Sequence, residues 1–170
     1  MSQVLYAEKA GYHVLKFVGD VRLSLGPAIS GFLSRLRELE DCRGMVVDLS
    51  ETEAIDSTAL GLIAKLGICC RETFARTLSI VSPREDITRL LQSMAMQEVS
   101  VITSEPLTSR VPLAELPREV ASEGVLLKQV LEAHKTLMGL NADNETKFKD
   151  LVESLQKEQN GKASPVAKTG

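Results

Sequence analysis

Apolar and polar residues alternate from Tyr12 to Gly19, with His13, Leu15 and Phe17 on one side and Tyr12, Val14, Lys16 and Val18 on the other. A period of two predicts a strand with one covered face. Residues 3–8 supply a second strand, joined to the first at Ala10-Gly11, and residues 20–25 read as an exit loop. The period then changes. Ile29, Phe32, Leu33, Leu36 and Leu39 recur at helical spacing and predict a helix from Gly26-Pro27 to about residue 40. Pro27 suits its first turn, where a missing N–H costs little. Met45-Val46-Val47-Asp48-Leu49 does not alternate, which predicts a central strand covered on both faces. A short polar loop over residues 50–56 leads to a helix from Ser57 to about residue 72, striped by Leu60, Ile63, Ala64, Gly67 and Ile68. Residues 78–81 and 99–103 are further short strands, and residues 83–94 form a helix with Ile87, Leu90 and Leu91 inward.

Strands that alternate with helices give an α/β class, with helices packed on a mixed sheet. The pattern changes after residue 104. Residues 105–117 hold Pro106, Pro112 and Pro117 and read as a linker or an irregular edge segment. Residues 119–140 and 143–159 both have helical period. Val120, Leu127, Val130, Leu131, His134, Leu137 and Met138 line one stripe, and Phe148, Leu151, Val152 and Leu155 a second. Asn141-Ala142-Asp143 is the expected turn, with Asp143 as cap, so the two helices form an antiparallel hairpin. The organisation is therefore residues 1–117 as one α/β domain with its own core, 118–160 as an amphipathic helical extension, and 161–170 as a disordered tail. The apolar stripes have three fates: folding back on the domain, pairing in a homodimer, or binding a partner helix.

The chemistry concentrates at Ile55-Asp56-Ser57-Thr58. Ser57 is predicted to cap the following helix, its hydroxyl accepting from an unpaired first-turn amide. The same turn carries partial positive charge and free N–H groups that suit a phosphate. The strand ending Asp48-Leu49-Ser50, followed by Ile55-Asp56-Ser57-Thr58-Ala59-Leu60-Gly61-Leu62, resembles the signature of STAS domains of the anti-sigma factor antagonist family. The resemblance covers residues 4–113. Ala59 stands where that family usually has Gly, and Gly19-Asp20-Val21-Arg22 replaces its Gly-Glu-Leu-Asp-like turn, with Arg22 in place of an acid. The resemblance implies a STAS-like mixed sheet and a partner-switching protein. Ser57 would be the phosphoacceptor, modified by a serine kinase that doubles as anti-sigma factor and restored by a metal-dependent serine phosphatase. Thr58 is a second candidate acceptor. Asp56 and the loop residues Asp20, Arg22 and Ser24 would face the partner. The rival expectation is a constitutive scaffold module in which Ser57 only caps a helix and the C-terminal helices bind.

Composition narrows the alternatives. The 170 residues carry a net charge of −3 with no basic stripe, which argues against nucleic acid as the main ligand. No apolar run approaches the roughly 20 residues that span a bilayer, and no secretory leader is visible, so the cytoplasm is expected. From residue 118 onward eight basic and eight acidic residues cancel, giving no membrane-surface signal. Aromatics are 4% of the chain, so Leu, Ile and Val must build the core. Cys42, Cys69 and Cys70 have neither disulfide nor zinc spacing and read as small apolar filler. His13 and His134 lack a second ligand at metal spacing and read as partly buried polar residues. A hydrolase triad of Ser57, His13 and Asp48 has nothing to bring it together, and neither a G-x-S-x-G elbow nor a phosphate-binding loop occurs. A binding switch without cofactor or catalysis is the expectation.

Overall fold

A computed structural model describes residues 2–107 and 112–163, with the side chains of residues 162 and 163 left out. The strands are β1 (Gln3–Lys9), β2 (Tyr12–Val21), β3 (Gly44–Ile55), β4 (Leu78–Val81), β5 (Ser100–Thr103) and β6 (Ala114–Glu115). The helices are α1 (Gly26–Arg37), α2 (Ser57–Phe74), α3 (Glu85–Ser93), α4 (Glu123–Met138) and α5 (Ala142–Ala163). One mixed six-stranded sheet runs in the order β5-β4-β3-β2-β1-β6, so the class is α/β. The β1–β2 hairpin is antiparallel, with Ala10 and Gly11 at positive φ in its turn. Strands β2, β3, β4 and β5 are parallel neighbours, connected through helices as parallel pairing requires.

The predicted alternation of β2 is present: His13, Leu15, Phe17 and Val21 are buried and Tyr12 is exposed. Two boundaries differ in a way that matters. β2 runs on through Asp20 to Val21, and only Leu23–Leu25 makes a short 3-10 turn. β3 does not stop at Leu49 but continues through the expected polar loop to Ile55. The cause is the neighbouring strand: β2 keeps offering ladder partners, so that Gly19 pairs with Thr52 and Val21 with Ile55, across register shifts at Lys16/Val18 and Gly19/Asp20. Pairing is a non-local term that outweighs the polar composition of residues 50–54. Thr52 has no solvent exposure and donates to the Phe17 carbonyl at 2.9 Å.

The C-terminal segment also departs from expectation in detail. Val120 is fully exposed and lies before α4, whose cap is Ser122. α5 begins at Ala142 and is capped by Asn141, whose Oδ1 accepts from the Asn144 amide at 2.8 Å, so Asp143 is a first-turn residue and not the cap. α5 continues to Ala163, so residues 161–163 are helical where a disordered tail was expected, and residues 164–170 lie outside the described residues. Within the proline-rich stretch, Ala114–Glu115 adds an edge strand to β1, while residues 108–111 lie outside the described residues. The helical hairpin packs back on α2: Ala133, Leu137 and Phe148 belong to the same apolar cluster as Leu15, Leu49 and Leu60. No helix among the described residues is long and apolar enough to cross a membrane.

Candidate functional site

The parallel strands β2 and β3 end together at Val21 and Ile55, and the residues that follow both converge on the start of α2. Asp56, not Ser57, is the N-cap. Its backbone is extended and its Oδ1 accepts from the Ala59 amide at 2.8 Å. Its second oxygen accepts from the Leu23 amide at 2.8 Å, and its own amide donates to the Val21 carbonyl at 2.9 Å. One carboxylate thus ties the β2 exit to the first turn of α2. Asp outcompetes Ser for the cap here because it has two acceptor oxygens and faces two free amides. Ser57 becomes the first helical residue, with its hydroxyl released from capping.

That hydroxyl lies 2.8 Å from His134 Nε2, a residue 77 positions away on α4. His134 Nδ1 lies 2.7 Å from the Val130 carbonyl. A carbonyl can only accept, so Nδ1 carries a proton; in the neutral ring Nε2 then presents a lone pair to which Ser57 donates. His134 is 2% exposed and packs edge-on against Phe148 of α5, with ring centroids 5.2 Å apart. The serine itself is half-buried. Two turns further along α2, Lys65 and Glu132 of α4 form an ion pair at 3.2 Å. At Gly61 the two helices nearly touch: a Cβ there would lie 2.7 Å from the Ala133 Cβ and closer still to its carbonyl.

The other expected site residues are distributed as follows. Asp20 and Arg22 pair at 2.6 Å on the exposed β2 exit, and Ser24 is exposed in the turn that follows. Asp56, Asp20, Arg22, Ser24 and Ser57 therefore share one end of the sheet. Thr58 is only 5% exposed, facing inward, so it lacks the access an acceptor needs without local opening. Asp48 sits mid-strand, its Oδ1 accepting from the Ser50 amide at 2.9 Å, and is not at this end. His13 lies on β2 against Tyr6, Oη to Nδ1 at 2.9 Å, away from Ser57. Burial holds its imidazole below the ordinary histidine range, against the opposing pull of Glu8.

The residue that sequence reasoning missed is His134. Only its place on the apolar stripe of α4 hinted that it faces inward. A Ser–His pair resembles two parts of a hydrolytic triad, but the third position is a backbone carbonyl in place of a carboxylate. Among the described residues there is no cluster of His, Cys, Asp and Glu that could hold a metal ion. The three cysteines are free and buried, and burial pushes the Cys70 thiol up to about 12. No family model matches this chain, and no curated protein matches it.

Proposed function

We propose that this chain is a STAS-like anti-sigma factor antagonist, a protein-binding module switched by phosphorylation of Ser57. In the unmodified state it binds a cytoplasmic serine kinase that acts as anti-sigma factor; phosphate on Ser57 releases that partner, and a metal-dependent phosphatase restores binding. The observation that carries the reading is the release of the Ser57 hydroxyl from capping. Asp56 holds the helix start, so Ser57 is left as the first helical residue at the sheet end shared by Asp20, Arg22 and Ser24. Ligands of open α/β sheets meet the carboxyl ends of parallel strands, which is where this serine stands.

The switch is electrostatic. Phosphate adds about −1.5 to −2 charges beside the Asp56 carboxylate, and an interface against acidic or apolar surface then loses affinity. The chain needs no catalytic group for this role. The test is phosphopeptide mass spectrometry on the protein purified from cells that express it, wild type and Ser57→Ala. A phosphopeptide covering residue 57, lost in Ser57→Ala, is expected. Modification that persists in Ser57→Ala at the same stoichiometry moves the acceptor elsewhere, with Thr58 the first residue to substitute. A second reading, a constitutive module that binds through its C-terminal helices, draws on Val125 and Leu151, which are 46% and 41% exposed on the hairpin. It predicts partner capture that is the same with and without phosphate on Ser57.

A further inference from the structure

We propose that the α4–α5 hairpin is an intramolecular lid on Ser57, and that it must lift both for the serine to be phosphorylated and once the phosphate is in place. The inference rests on the reading of Ser57 as the phosphoacceptor. The seam between the hairpin and the rest of the molecule supplies four independent reasons.

The first is occupancy. The Ser57 hydroxyl donates to His134 Nε2 at 2.8 Å, so the acceptor atom is already engaged and α4 lies over it. An incoming phosphoryl donor must reach the oxygen from a side that α4 now limits. A phosphoester at Oγ has no proton to donate, and its phosphorus and three oxygens do not fit in the space the hydrogen bond spans. The added charge would also face the neighbouring Asp56 carboxylate.

The second is the polarity of the seam. Alongside the apolar contacts of Ala133 and Leu137, Ser57–His134 and Lys65–Glu132 are hydrogen-bonded or ionic contacts that water replaces on opening. The third is unfinished satisfaction. Among the described residues, the buried side-chain atoms with no hydrogen-bond partner are Gln129 Oε1 on α4 and Asn144 Oδ1 on α5. Both belong to the hairpin, and a buried acceptor left unpaired favours the state in which it meets water. The fourth is the tether. Arg118 is held to the Ser2 carbonyl and Glu119 lies against α1 at Gly31, but Val120 is completely exposed and Ser122 exposed, so the chain can pivot just before α4 without disturbing the sheet. Behind it, Leu116 is anchored by its amide to the Val4 carbonyl.

Gly61 gives an independent handle on the lid. Any side chain there meets the Ala133 backbone, so Gly61→Leu should push α4 away while leaving Ser57, Asp56 and His134 unaltered.

The test begins with the full chain carrying phosphoserine at position 57, installed during translation, so that no kinase is needed. Hydrogen–deuterium exchange should become at least tenfold faster in α4 and α5, with β2 and β3 unchanged. Unchanged or slower exchange in α4 overturns the lid, because the hairpin then tolerates or clasps the phosphate. The second arm joins Lys65→Cys to Glu132→Cys with a short bis-maleimide, the native cysteines being buried. In lysate of the expressing cells, the joined protein should acquire phosphate on Ser57 at least tenfold more slowly than the same protein unjoined. Equal rates overturn the lid. If neither form acquires phosphate on Ser57, the reading of the acceptor has failed, and the phosphoserine exchange experiment still decides whether the lid opens. Gly61→Leu should reproduce the fast exchange of α4 without phosphate; slow exchange there shows that the seam absorbs a side chain and also counts against the lid.

Discussion

Asp56 holds the start of α2 with both of its oxygens, to Ala59 and to Leu23, so its side chain contributes more than a single cap bond. Asp56→Ala is expected to lose about 2 kcal/mol, the upper end of cap substitutions, and urea unfolding measures it. Ser57→Ala leaves the helix start intact and deprives His134 Nε2 of its donor. One lost hydrogen bond costs about 1 kcal/mol, so the midpoint should fall less than for Asp56→Ala, which loses two. The reverse ranking would show Ser57 to be the cap. His13 gives a pH prediction. Burial lowers its pKa in the folded chain, so the unfolded chain takes up a proton first as pH falls. Its contribution to stability is full above about pH 6.5 and declines as pH drops from there through the lower folded value. His13→Gln should therefore flatten the fall in urea midpoint between pH 7.5 and 5.5; an unchanged slope would place the acid sensitivity on other groups.

At the scale of elements, the joint between α2 and α4 combines the apolar contacts of Ala133 and Leu137 with a glycine, a polar pair and an ion pair, with the α5 helix bracing His134 through Phe148. Asn144 is the brace that can be tested alone. It has no exposure, and its Nδ2 donates to the carbonyls of Met94 at 2.8 Å and Leu137 at 2.9 Å. It thereby ties the α4–α5 turn to the end of α3. Asn144→Ala removes both bonds and leaves the buried Leu137 carbonyl and the partly buried Met94 carbonyl without that partner. A loss of about 1–3 kcal/mol is expected, with faster amide exchange confined to α4, α5 and the end of α3. Exchange that rises equally in β3 would mean that the hairpin and the sheet open as one unit.

For the whole molecule, the apolar cluster runs without a break from the sheet through α2 into the hairpin. Removing residues 119–170 would uncover the α2 surface under Ala133 and Leu137. Exposed apolar faces of that kind associate. The truncated chain is expected to keep its sheet, visible as dispersed amide resonances, but to unfold at lower urea and to self-associate in sedimentation. A monomeric truncation of unchanged stability would show that the hairpin adds nothing to the core. Cys70 reports on the same core. With its thiol near 12, the thiolate fraction at pH 8 is about one in ten thousand, so alkylation in the native state should be slow and should accelerate on unfolding in urea.

The sequence by itself determined the elements whose signals are local. The alternation of β2, the helical stripes of α1 as far as Leu36 (Leu39 lies beyond the helix and is exposed) and of α2, and residues 78–81 of β4 were readable, because period two and period 3.6 are properties of the chain's own geometry. So was the concentration of chemistry at Asp56-Ser57. The extension of β3 was not readable, since the polar residues 50–54 become strand only because β2 offers ladder partners beside them. The exchange of roles between Asp56 and Ser57 depended on where the Leu23 amide falls, 33 residues away. The meeting of Ser57 with His134 required the hairpin to fold back across α2 at Gly61. Contacts of that kind are chosen by packing between distant segments, and no pattern within either segment encodes the distance that closes them.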